Sequence, residues 1–164
     1  MAYTITTERL GFQPIATTDT VQNHPLGTIV TATDPLYGAG EFIYLKGVAS
    51  TQIGTMVDFD NYLGTTTISP ATTGTGSVAI AMSANVANQY GWYQITGSAV
   101  VRAPNAMVVG ADVFSLAATP GSVDDAAVAG EQILNAKVST TTGTPSTGLA
   151  VIQINRPFHQ GQIT

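Results

Sequence analysis

The chain has 164 residues, no cysteine, and ten acidic against five basic side chains, for a net charge of −5. The missing cysteine excludes a disulfide framework and thiolate metal sites. The five cations, Arg9, Lys46, Arg102, Lys137 and Arg156, are scattered along the sequence, which argues against a phosphate-tracking groove and so against a nucleic-acid partner.

Charged residues make up 9% of the chain, where about 25% is usual for a globular domain. The surface is therefore expected to be mostly neutral and rich in Thr, Ser, Ala and Gly. The start, MAYTITTERLGF, lacks the basic and continuous apolar regions of a signal peptide, and no run approaches the roughly 20 apolar residues of a spanning helix. A soluble chain that begins at Met1 and has no membrane partner is expected.

Residues 1–23 mix Thr pairs with isolated apolar residues, Leu10, Phe12 and Ile15, and show no sustained period. They read as an extended N-terminal arm. A free segment of this kind has little to bury, so the arm is expected to leave its own domain and anchor these side chains on a neighbouring chain.

Residues 24–156 read as a β domain. Strands are predicted at Thr28–Thr33, Glu41–Lys46, Thr55–Phe59, Thr65–Ser69, Ser77–Met82, Gly91–Thr96, Ser98–Arg102, Asp112–Leu116, Glu131–Ser139 and Leu149–Asn155. Each is bounded by chain-reversing residues such as Asp34-Pro35, Pro104-Asn105 and Pro120-Gly121. The spacing predicts an all-β fold, a single antiparallel barrel or sandwich of about ten short strands. A short helix is predicted over Ser83–Gln89, with Ser83 as its cap, and a weaker helical turn over Asp124–Ala129. Residues 157–164 read as a C-terminal tail with one large anchor, Phe158.

The strand Glu41–Lys46 carries Ile43 and Leu45 on one face and Phe42 and Tyr44 on the other, so both faces are expected to be covered. Two lysines are too few to guard the open edges of about ten strands. Closure of the sheet or cover by partners is therefore expected, and a homo-oligomer follows.

Candidate chemistry is sparse. Asp58 and Asp60 in VDFDN would share one face of a strand, as cation ligands do, but ordinary turn chemistry beside Asn61 is the better reading. His24 and His159 lie near opposite ends, so a two-histidine site needs both ends to meet. No G-x-S-x-G elbow is present, and TTGTGS at 72–77 lacks the Lys-Ser/Thr ending of a phosphate loop. No enzymatic activity, metal or cofactor is expected. In QYGWYQITG at 89–97, Trp92 shares a face with Gln94 and Thr96. Core packing is the first reading for this tryptophan, with a protein interface and ligand stacking as alternatives.

Three stretches, HPLGTIV at 24–30, YGAGEFIYLKGV at 37–48 and YGWYQITGSAVV at 90–101, together resemble the β-rich head structural proteins of tailed bacteriophages, a group that includes capsid decoration, or cement, proteins. The similarity runs from about His24 to Pro157. It implies a virion protein on the outer surface of the capsid, made in the bacterial host cytoplasm and bound to the major capsid protein. It also implies self-association, often as a trimer, and no catalytic residues. Decoration proteins span several folds, so the resemblance bears on role rather than topology. The interface residues expected on this reading are Leu10, Phe12, Ile15, Trp92 and Phe158. The alternative is a head-fibre or tail module that holds host glycan through the Trp92 face.

Overall fold

The computed structural model describes residues 4–6, 11–70, 72 and 74–161. Among them are twelve strands: β1 (Thr4–Ile5), β2 (Ile29–Asp34), β3 (Gly38–Lys46), β4 (Met56–Phe59), β5 (Thr66–Ile68), β6 (Ser77–Ala81), β7 (Tyr90–Gln94), β8 (Thr96–Arg102), β9 (Asp112–Ser115), β10 (Val123–Asp124), β11 (Gln132–Val138) and β12 (Leu149–His159). The described chain is all-β. Every strand ladder is antiparallel, along the path β1-β2-β3-β7-β6-β12-β11-β9-β10, with β4 joining β6 to β5 and β8 lying against β12. The path does not close into a barrel. An isolated parallel bridge between Lys46 and Thr65 brings the β5 side back to the end of β3, so the sheet curls on itself.

All ten predicted strands form. The two that were not predicted, β1 and β10, have two residues each, too short to carry a period. They are also the ends of the pairing path. The sheet thus guards these edges by keeping them very short, without needing lysine.

The helix predicted over Ser83–Gln89 does not form. Asn85 is fully buried; with its amide oriented to satisfy both ends, its nitrogen donates to Tyr90 O (3.2 Å) and its oxygen accepts from Gly91 N–H (3.3 Å) and the Tyr93 hydroxyl (3.2 Å). Serving the β7 backbone in this way takes an irregular loop, and Asn88 completes it at φ 65°. The predicted turn over Asp124–Ala129 gives way at its start to β10, where Asp124 accepts from the Asn105 amide at 2.8 Å.

Three apolar clusters alternate with the strands. Phe42 and Tyr44 of β3 pack with Val30, Ala32, Met82 and Trp92, while Ile43 and Leu45 on its other face pack with Val57, Ala79, Tyr93 and Ile95 inside the curl. Both faces of this strand are covered, as its sequence predicts. The third cluster joins β4 and β6 to β8, β9, β11 and β12 through residues such as Met56, Ile80, Val101, Ile133 and Ile152. Between β7 and β8 the chain changes partners, from β3 to β12. Gly97 makes the crossing at φ 94°, where a Cβ would lie 2.4 Å from Ala39 O, so only glycine fits.

The expectation that the arm leaves its own domain is corrected. Ile15 is 2% exposed and sits in the cluster with Phe42 and Trp92, against which Ile5 and Phe12 also pack. Asp19 forms a two-way backbone bridge with Tyr90, both bonds 2.8 Å. Its described residues, 4–6 and 11–23, run without sustained strand structure, but they lie on their own sheet because β2, β3 and β7 would otherwise expose an aromatic face. Leu10 lies outside the described residues. The tail begins differently too, since β12 continues through Phe158 to His159 and pairs them with Leu134 and Ile133 of β11.

Candidate functional site

Trp92 is 0% exposed and offers no surface to a sugar, a base or another chain. Its neighbours come from its own N-terminal segment and from β3. The Phe12 ring stands edge-on at 5.7 Å between centroids, His24 lies at 5.7 Å and Tyr44 at 5.1 Å. His24 also touches Phe12 at 4.8 Å and Tyr44 at 5.0 Å. Of the three readings of Trp92, the structure selects core packing.

A polar seam stitches this cover down. The Tyr44 hydroxyl donates to Asp19 at 2.8 Å, Gln13 Nε2 donates to the same carboxylate, and the Gln13 amide oxygen meets His24 Nε2. Burial, with the Asp19 bond adding to it, pushes the Tyr44 hydroxyl from 10.0 up to about 12. A raised folded-state value means that Tyr44 contributes stability that is fully present below pH 10 and is lost as pH rises through about 12. Urea midpoints measured across this window should fall more steeply for the native chain than for Tyr44→Phe. Parallel curves would show that the hydroxyl is not held by the seam.

The two aspartates of VDFDN part company. Asp60 accepts from the N–H groups of Tyr62 (2.7 Å) and Leu63 (2.8 Å) and is a turn cap. Asp58 meets His159, whose Nε2 lies 2.7 Å from Asp58 Oδ1 and 2.8 Å from Ser69 Oγ. These are the residue types of a hydrolytic triad, but the arrangement is different. A triad uses both ring nitrogens, one for the serine and one for the carboxylate, whereas here both oxygens meet Nε2 and the buried Nδ1 has no partner. The ring is also sealed, because a Cβ on Gly74 would lie 2.3 Å from it. The three residues act as a clasp that ties the end of β12 to β4 and to the residue after β5. Sequence separations of 90 and 101 left no local signal for it. His24 is half-buried against the Trp92 cluster and His159 is buried at the end of β12, so the two histidines form no common site. Among the described residues no group of three or more His, Cys, Asp or Glu side chains could hold a metal ion.

What the surface does present is a set of apolar tips. Leu36 is 77% exposed and Tyr62 94%, with Leu63 also exposed beside it. Both tips share one sequence form, Asp34-Pro35-Leu36-Tyr37-Gly38 and Asp60-Asn61-Tyr62-Leu63-Gly64. In each, the aspartate accepts from the N–H groups two and three residues on, at 2.7 and 3.1 Å in the first and 2.7 and 2.8 Å in the second. Each ends in a left-handed glycine, Gly38 at φ 75° and Gly64 at φ 65°. The cap and the glycine fix a turn whose central pair carries one leucine and one tyrosine. Val108 and Val109 form a further exposed apolar tip, fastened by the Val108 N–H bond to Asp125 at 2.7 Å.

Of the interface residues expected from sequence, Ile15 and Trp92 are core and Phe12 is half-buried against them, while Phe158 is exposed. The tips were missed because their aspartates and glycines read only as chain reversal. The usable signal was two large apolar residues between them. No protein-family model, curated protein or solved structure matches the chain.

Proposed function

We propose that this chain is a virion structural protein that decorates the outer surface of a tailed-bacteriophage capsid and stabilises the shell, bound to the major capsid protein and to further copies of itself, as a trimer. The observation that carries the reading is the pair of Asp-capped tips that hold Leu36 and Tyr62 out into solvent. A turn tip needs no large apolar residue for its own sake. Each such side chain stabilises a complex by about 1.5–3 kcal/mol if fully buried, and a tip already fixed by its cap loses little freedom on docking. Repetition over a lattice multiplies weak single contacts.

The resemblance of residues 24–30, 37–48 and 90–101 to head structural proteins supports the same role. So does a surface with few charges, which packs against many copies without like-charge repulsion. The alternative glycan module has lost its platform, since Trp92 is enclosed. The chain is read as having no catalytic role, the Ser69–His159–Asp58 clasp being sealed and wrongly connected for a triad.

The test is electron microscopy of particles carrying the chain, alongside Leu36→Asp and Tyr62→Asp. Both positions are exposed, so melting should change by no more than about 0.5 kcal/mol equivalent while occupancy on the shell falls severalfold. Native occupancy in the double variant, or a location away from the head, would overturn the reading.

A further inference from the structure

We propose that the outer face of β11 and β12 carries a binding groove for a neutral oligosaccharide, formed where two bulges in these strands face each other beneath four carboxamide side chains. The proposal does not rest on the capsid reading and concerns a different surface from Trp92.

The backbone makes the groove. Leu134 pairs with Phe158 and Ala136 with Ile154, so one residue of β11, Asn135, stands opposite three of β12, residues 155–157. On its other side β11 bows away from β9 as well, since Ile133 pairs with Val113 but Lys137 with the very next residue, Asp112. Asn135 sits at φ 61° and Arg156 at φ 49°. Among the described residues these are the two non-glycine positions inside strands with left-handed backbone. Asparagine tolerates that conformation. At Arg156, outside the groove lining, the backbone N–H donates to Ile95 O at 2.7 Å and the guanidinium pairs with Glu41 at 3.0 Å. Asn135 is therefore the strained residue that faces the groove. Bulges re-aim side chains at sites, and backbone held in sparsely populated regions points to a function that the surrounding structure maintains.

The lining fits one class of ligand. The groove is shallow and open to solvent, with a volume of about 400 Å³, which suits a ligand that stays partly hydrated. Gln132, Asn135, Gln153 and Asn155 all line it. Each carboxamide is both donor and acceptor, which matches a sugar hydroxyl or an adjacent pair of them. No hydrogen bond within the described chain uses the amides of Gln132, Asn135 or Asn155. Gln153 accepts a long one from Ser98 at 3.3 Å. Beyond the lining, Phe158 lies in register with the lining residue Leu134 and is 41% exposed, so it borders the groove with an apolar surface for the C–H side of a pyranose.

Other ligand classes fit less well. Lys137 and Asp112 at the groove form an ion pair of 2.7 Å and cancel, so nothing there attracts a net charge of either sign. An extended peptide would need a free strand edge, but β11 is paired with β9 and β12 on its two sides, and β12 with β11 and then β8 or β6.

Hydroxyl-for-water exchange yields modest affinity, so the assay must be multivalent. The full chain, biotinylated and tetramerised on streptavidin, is applied to an array of neutral and acidic oligosaccharides. Binding to one or more neutral structures is expected, at least tenfold weaker in Asn155→Ala, in Phe158→Ala and in Asn135→Gly, which keeps the left-handed backbone. Thermal melting of these exposed-site variants checks that they fold, and Leu36→Asp should bind as the native chain does. Absence of any neutral ligand, binding confined to acidic glycans, or binding insensitive to all three groove substitutions would each overturn the proposal. If Leu36→Asp alone lost binding, the tips would be the site and the groove would be excluded.

Discussion

Deletion of residues 2–18 is expected to unfold the chain or leave it barely stable. The truncation removes Ile15, a buried member of the Trp92 cluster, together with Ile5 and Phe12, which pack against it. Loss of one fully buried isoleucine side chain alone costs about 2–5 kcal/mol. The half-buried phenylalanine and the β1–β2 pairing add to that, and Trp92 and Tyr44 lose their cover. A domain of this kind has about 5–15 kcal/mol in total, so most of the margin is at stake. Urea unfolding followed by far-UV circular dichroism decides the matter. A truncated chain with an unchanged midpoint would mean that the segment lies elsewhere, on another subunit, as its sequence alone suggests.

That contrast shows what was legible and what was not. Strands announce themselves locally, through period-two apolar residues between Pro, Gly and Asp turns, and all ten predicted ones are present. The double-sided cover of Glu41–Lys46 was readable for the same reason, because large side chains on both faces of one strand leave none for water. What covers a face is a different kind of fact. Phe12 and Ile15 have no period, yet the aromatic face of β3 and β7 gives them a place, and nothing within residues 1–23 reveals that face.

The same limit hid the clasp and the bulges. His159 reaches Asp58 and Ser69 across most of the chain, and the bulges at Asn135 and Arg156 exist only as a mismatch of register between strands. The tips were hidden by a different cause. Asp34 to Gly38 and Asp60 to Gly64 were visible in outline, but turn residues drew the reading away from the leucine and tyrosine between them. A repeated Asp-x-apolar-apolar-Gly pattern combines a turn signal with two large side chains that the turn itself does not use. That combination marks solvent-exposed apolar residues more directly than isolated hydrophobics in an aperiodic segment do.

Trp92→Ala is expected to destabilise the chain by about 3–5 kcal/mol, the usual cost of removing a large buried aromatic ring. The indole is fully enclosed by Phe12, His24 and Tyr44, elements of which are held by the Asp19 and Gln13 hydrogen bonds, so the cavity cannot collapse freely. The indole N–H has no hydrogen-bond partner in the structure. Trp92→Phe should therefore lose only the volume difference, with no hydrogen bond forfeited, and should be markedly milder than Trp92→Ala. Phe12→Ala provides the link to the N-terminal cover. If the two rings pack as the structure places them, the double variant Phe12→Ala with Trp92→Ala should be less destabilised than the sum of the singles, by about 0.5–1.5 kcal/mol. Emission from the chain's single tryptophan should be blue-shifted and poorly quenched by acrylamide in the native protein, and more accessible in Phe12→Ala. Strict additivity, together with a solvent-exposed spectrum in the native chain, would return Trp92 to the surface and reopen it as a contact residue.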